Sequence, residues 1–167
     1  MVVLPLTSKR GNALGGHLRG AEATGRRRDP AVSSRILRAV RGRDTKPELM
    51  LRRALHRQGL RFRTHYAVAG RPDIVFPSRR LAIFVDGDFW HGRGYHERGF
   101  VTLEEQFRRW NRGAWWLEKI RSNVARDRRV TRKLRREGWV VMRFRDSLVT
   151  RSLERCAADV AEALERL

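Results

Sequence analysis

The chain reads as an α/β protein, helices packed around a mixed sheet, behind a short basic arm. Three observations give this reading. Apolar runs of strand length recur between turn residues over 61–85 and again over 139–144. Apolar residues return every three or four positions over 103–124 and over 153–164, which is the helical period. The resulting order is helix, strands, helix, strand, helix, and helices must then cover the sheet for its apolar side chains to leave water.

The elements follow in chain order. Residues 1–32 are rich in Gly, Arg and small side chains and show no sustained period. They are expected to form a disordered basic arm, either adding non-specific phosphate contacts or dispensable. The ordered domain is expected over 33–167. Thr45-Lys-Pro-Glu48 has the form of a capping box with Pro just inside it, and starts a helix that runs through Leu51, Ala54 and Leu55 to Gly59. Strands are expected at Arg61–Val68, Pro72–Phe76 and Arg80–Val85, the last two joined by a hairpin-length turn. A long helical region carries Leu103, Phe107, Trp110, Ala114, Leu117, Ile120 and Val124, with a break at Asn111-Arg-Gly113. Gly138 closes it. Trp139–Phe144 is a further strand, and Leu148–Leu167 a terminal helix with Leu153, Cys156, Val160 and Leu164 inward.

Composition narrows the partners. The 167 residues carry 38 Lys+Arg against 18 Asp+Glu, a formal charge of +20. Such an excess favours a polyanion, nucleic acid above all. Only four of the cations are Lys. Arg grips phosphate in bidentate fashion, although a GC-rich genome produces the same bias. The single cysteine, Cys156, excludes an internal disulfide and a Cys-rich zinc site, and suits a reducing cytoplasm. No apolar run approaches the ~18 residues of a membrane span, and the first residues have too short an apolar stretch for a signal peptide.

The informative segment is Gly70-Arg-Pro-Asp-Ile-Val-Phe76 followed by Leu81-Ala-Ile-Phe-Val-Asp-Gly-Asp-Phe-Trp-His91. An antiparallel hairpin about residues 78 and 79 pairs position 73 near position 84, and brings Asp73 and Asp86 to one end of the sheet. Asp is a poor strand residue. Two of them at adjacent strand ends, with His91 nearby, suggest a shared divalent cation that would polarise a phosphate and activate a water. The alternative is that they cap turns or pair with nearby Arg. Phe89-Trp90 has two readings as well, core packing or an aromatic wedge that opens a duplex. His65 and His96 read as surface histidines.

Five blocks then carry a resemblance: Ser34 to Leu49, Gly70 to Phe76, Phe84 to Gly92, Trp116-Leu-Glu-Lys-Ile-Arg-Ser-Asn-Val-Ala-Arg-Asp127, and Gly138-Trp-Val-Val-Met-Arg-Phe144. In order and spacing they resemble the very-short-patch-repair (Vsr) mismatch endonucleases, over roughly residues 33–148. The resemblance implies a restriction-endonuclease-like fold of the PD-(D/E)XK superfamily, a central mixed β-sheet flanked by helices. It implies a Mg²⁺-dependent enzyme that nicks double-stranded DNA beside the T of a T·G mismatch, in the bacterial cytoplasm beside the nucleoid, with mismatch-repair proteins as partners. Residue by residue, it implies that Asp73 binds the metal and that Val85 offers it a backbone carbonyl. His91 is then the general base, and Glu48 acts through metal-bound water. Phe89 and Trp90 become the wedge, and Leu37 stands where the family often carries an intercalating Met.

The chain also departs from the family. Asp86 stands where a histidine is common, which suggests a second metal ligand. Arg93 follows Phe89-Trp-His-Gly92 where a cysteine is usual, so no structural zinc is expected, and the longer 94–114 stretch is expected to substitute helix packing. Three further readings stay open beside mismatch nicking. One is a nuclease of the same fold used in restriction or phage defence. Another is a DNA-binding module without catalysis, in which the acidic hairpin is structural. The third is a toxin or ribosome-associated basic protein, with affinity for RNA and no metal dependence.

Overall fold

The computed structural model describes residues 43–167, and the first helix in that stretch starts at the expected Thr-Lys-Pro-Glu segment. Helix α1 spans Lys46–Arg57 with Pro47 in its first turn. The Glu48 carboxylate accepts from the Thr45 hydroxyl and the Asp44 backbone N–H, both at 2.8 Å. This is the acidic half of a capping box, one residue out of register. The arm over 1–32 and Leu37 lie outside the described residues.

Strands β1 (Ile74–Phe76) and β2 (Leu81–Asp86) form the expected antiparallel hairpin around a 3-10 turn at Pro77–Arg79. Ile74 pairs with Ile83, which sets Asp73 opposite Phe84. Strand β3 (Val140–Arg145) lies parallel to β2, with Ile83 beside Met142 and Val85 beside Phe144. The sheet of the described residues is thus mixed, in the order β1-β2-β3. A parallel neighbour needs a long crossover. It is supplied by α2 (Leu103–Phe107) and α3 (Gly113–Arg136).

The pleat sends alternate side chains to opposite faces. Ile74, Phe76, Leu81, Ile83 and Phe144 pack against Leu51 and Leu55 of α1 and against Cys156 and Val160 of the last helix. Ala82 and Phe84 face the other way, onto Leu134 and Val130 of α3. Each fully buried Leu or Ile contributes roughly 1.5–3 kcal/mol, so both helix layers are anchored on β2. Gly70, in the left-handed region at φ 76, lets the chain before β1 close on α3. A Cβ there would lie 2.4 Å from Val130 Cγ1.

Two expectations need correction, and a third holds. Arg61–Val68 forms no strand, only an isolated bridge in which Arg63 and Val75 exchange backbone hydrogen bonds of 2.8 and 2.9 Å. Phe62 packs on one core while Val68 packs on the other. The segment therefore crosses from one face of the sheet to the other, turning at His65 with φ 56. The terminal helix is two helices, α4 (Asp146–Arg151) and α5 (Leu153–Glu165), parted at Ser152. The break at 111–113 is present. Arg112 takes φ 61, and a Cβ on Gly113 would sit 2.0 Å from the Phe107 carbonyl oxygen.

Candidate active site

Asp73 sits directly before β1, and its neighbours come from β2 and α1. Its Oδ2 accepts from the Val85 backbone N–H at 2.7 Å. Its own carbonyl accepts from Arg52 of α1 at 3.1 Å, and Arg52 also reaches Glu48 at 3.3 Å. Burial pushes the Asp73 carboxyl up. The Val85 N–H pulls it back, the Glu48 charge pushes it up again, Arg52 lowers it and Asp86 adds a final push, leaving it at about 6. Glu48 is buried at the start of α1. Asp73, Glu48 and Asp86 are therefore close enough to repel.

A carboxylate strained by burial and by two like charges is one that a cation relieves. Among the described residues no side-chain or backbone donor reaches Asp73 Oδ1. The same residues gather no cage of three or more His, Cys, Asp or Glu. An ion at Asp73 would therefore rest on this one carboxylate, with waters and backbone oxygens to complete its shell.

His91 belongs to a second group of side chains, on the α3 side of the sheet. Its backbone N–H donates to the Gly87 carbonyl at 3.2 Å, which closes a turn after β2. Its Nδ1 lies 2.5 Å from Asp127 Oδ2 and 3.8 Å from Asp86 Oδ1. Arg143 of β3 donates to both oxygens of Asp86, at 2.8 and 2.6 Å, and reaches Asp127 Oδ1 at 3.3 Å. The guanidinium also lies 4.5 Å from the centre of the Phe84 ring. A carboxylate can only accept, so the Asp127 bond places the proton on Nδ1 and leaves Nε2 as the basic nitrogen. Asn123, one turn before Asp127 on α3, donates to the Trp90 carbonyl at 3.0 Å and fixes the backbone beside His91.

Phe89 and Trp90 are half-buried in an aromatic cluster. The Phe89 ring lies 5.2 Å from Trp90, 5.6 Å from Trp116 and 6.0 Å from Trp110, the last nearly parallel. Trp90 lies 5.8 Å from Trp116. The 94–114 stretch supplies Phe107, at the end of α2, and Trp110, in the turn after it, to this cluster. It is also clamped by ion pairs, with Arg145 of β3 holding Asp88 at 2.7 Å and Glu97 at 2.8 Å. His65 and His96 are exposed, as expected.

The structure thus brings Asp73, Val85 and Glu48 together, and gathers Asp86 and His91 around Arg143. Asp86 gives both oxygens to Arg143, the pairing that the sequence left open as an alternative to metal binding. Sequence reasoning missed Asp127, Asn123 and Arg143 as members of the site. A signal existed for the first two. Ile120, Asn123, Asp127 and Leu134 share the inward stripe of α3, and two polar residues on an otherwise apolar stripe need partners.

Comparison with known proteins gives a consistent family. The model for the DNA mismatch endonuclease Vsr matches residues 27–97. A type II nicking enzyme, V.NmeDIP, of Neisseria meningitidis serogroup C is 35% identical over 137 residues, covering 81% of this chain and 87% of that protein. The type II nicking enzyme V.NaeI of Lentzea aerocolonigenes is 38% identical over 143 residues, covering 82% and 79%. The DNA mismatch endonuclease Vsr of Escherichia coli K12 is 40% identical over 115 residues, covering 68% and 69%.

Proposed function

We propose that this chain, which belongs to the Vsr DNA mismatch endonuclease family, is a DNA endonuclease that nicks one strand of duplex DNA beside a T·G mismatch. The observation that carries the catalytic part is the His91–Asp127 pair, set on the same sheet end as the strained carboxylate of Asp73. A pure binding module has no use for carboxylates facing phosphate. The sheet is assigned to the restriction-endonuclease-like class, supported by its mixed hairpin and crossover.

Each residue has a task in phosphodiester hydrolysis. Asp127 accepts the Nδ1 proton of His91 and holds the ring, and Nε2 takes a proton from the attacking water. Arg143 ties Asp127 to Asp86 and so keeps Asp127 in place. Asp86 acts by positioning, since ligating a metal would require Arg143 to give up a hydrogen bond. Glu48 fixes the start of α1 next to Asp73. Mg²⁺ held by Asp73 and the Val85 carbonyl would polarise the scissile phosphate and steady the leaving oxygen. Phe89 and Trp90 are the wedge, which requires them to leave part of the aromatic cluster on binding. No structural zinc belongs to the proposal, in keeping with Cys156, the chain's single cysteine, packing in the core on the α1 side. Metal analysis of the untagged protein is expected to find no stoichiometric zinc, and one zinc per chain surviving dialysis contradicts this.

Several relatives are named type II nicking enzymes, which favours one second reading, nicking in the setting of restriction and modification. The test is incubation of the protein and Mg²⁺ with two strand-labelled duplexes, one with a central T·G mismatch and one fully paired. The proposal expects a single nick in the T strand of the mismatched duplex alone. Equal cutting of both duplexes supports the second reading, and no cutting of either contradicts both. Among the described residues no helix is long and apolar enough to cross a membrane, and DNA is the partner proposed.

A further inference from the structure

A cleft of about 1060 Å³ opens beside His91 and Asp127, between the loop after β2 and one face of α3. Six arginines line it: Arg93, Arg121, Arg128, Arg132, Arg135 and Arg143. Four of these stand on α3 at spacings of seven, four and three residues. They therefore share one stripe of the helix, about 21 Å long at 1.5 Å per residue. Val124, Ala125 and Thr131 lie between them as short side chains on the floor. Elsewhere in the fold Arg52, Arg57, Arg145, Arg155 and Arg166 each hold a carboxylate. Arg128, Arg132 and Arg135 are exposed and have no acidic partner among the described residues. Three guanidiniums gathered along one wall repel each other, and among the described residues no carboxylate offsets them.

We propose that the α3 arginine stripe is a phosphate track, which holds the backbone of one DNA strand along the cleft and leads it to His91. The ligand chemistry is that of successive phosphodiesters, which guanidinium forks bind without reading base sequence. The proposal rests on the nuclease reading above for its ligand, but it concerns grip rather than cutting. The stripe therefore contributes equally to matched and mismatched DNA. It sets the salt dependence of binding, while Phe89 and Trp90 set selectivity.

The test compares two triple variants of the full chain on fully paired duplex in EDTA, with affinity measured across a series of salt concentrations. Arg128→Gln/Arg132→Gln/Arg135→Gln removes the unpaired part of the stripe. Arg151→Gln/Arg155→Gln/Arg166→Gln removes the same charge from α4 and α5. The slope of log K against log salt falls by about 0.9 for each phosphate that the protein no longer neutralises. The stripe variant is expected to lose between about two and three units of slope, and the control less than one. All the substituted residues are exposed, and equal melting temperatures confirm that both variants fold. An unchanged slope in the stripe variant, or an equal loss in the control, overturns the proposal. A parent protein that cuts no DNA, beside a stripe variant with reduced slope, overturns the nuclease reading and leaves the track standing. Cutting by the parent beside an unchanged slope does the reverse.

Discussion

Asp73 and His91 are assigned different work because their surroundings differ. Asp73 is pushed up to about 6 by burial, against an ordinary value of 3.8. In metal-free protein the folded state therefore keeps a proton between pH 4 and 6 that the unfolded chain has released. Stability from this group is present below about pH 4 and is lost as pH rises through about 6. Asp73→Asn removes the charged form. In EDTA the variant should melt above the parent at pH 7 to 8, and the gap should close toward pH 4. Thermal melts across that range check this, and a variant melting below the parent at pH 8 contradicts it. His91 is instead held by a hydrogen bond. His91→Ala is expected to lower the single-turnover nicking rate about 10²–10⁴-fold. Asp127→Asn should lower it too, because an amide can present N–H to Nδ1 and favour the wrong tautomer. A parent-like rate in Asp127→Asn would show that the dyad is structural only.

The hairpin and α3 form the functional frame, and their legibility differs. The pairing of Asp73 opposite Phe84 was readable, because the apolar runs and the short turn permit one register. The crossing segment at 61–68 was not, since Phe62 and Val68 have the period of a strand and yet serve opposite faces of the sheet. The candidate site was legible where it lies on the hairpin. It was hidden where it lies on α3 and β3, because Asp127 and Arg143 become meaningful only when the parallel crossover brings them to His91. The close approach at Gly70 gives one stability prediction. Gly70→Ala must push Val130, and with it α3, while straining a left-handed φ. A loss of about 1–3 kcal/mol is expected from overpacking and strain, read by urea denaturation, and a neutral outcome contradicts the packing described. The aromatic cluster gives another. Trp90→Ala should lower the preference for T·G over paired DNA about ten- to a hundredfold, from a stacking worth of ~1–3 kcal/mol. Salt dependence should remain. A folded variant that keeps the parent ratio leaves Trp90 as packing alone.

At the scale of the whole molecule, grip and chemistry rest on different residues. A net charge of +20 and the stripe on α3 draw a polyanion to one wall. The carboxylates assigned to the chemistry, those of Asp73, Glu48, Asp86 and Asp127, stand instead at the open end of the sheet. This division predicts that the chemistry can be removed without loss of binding. The most direct test measures nicking and binding together, with parent and Asp73→Asn on one strand-labelled T·G duplex in Mg²⁺. The parent should nick the T strand, and the variant should bind the duplex as tightly or more tightly while leaving it intact. Nicking by Asp73→Asn at the parent rate would contradict the assignment of the site.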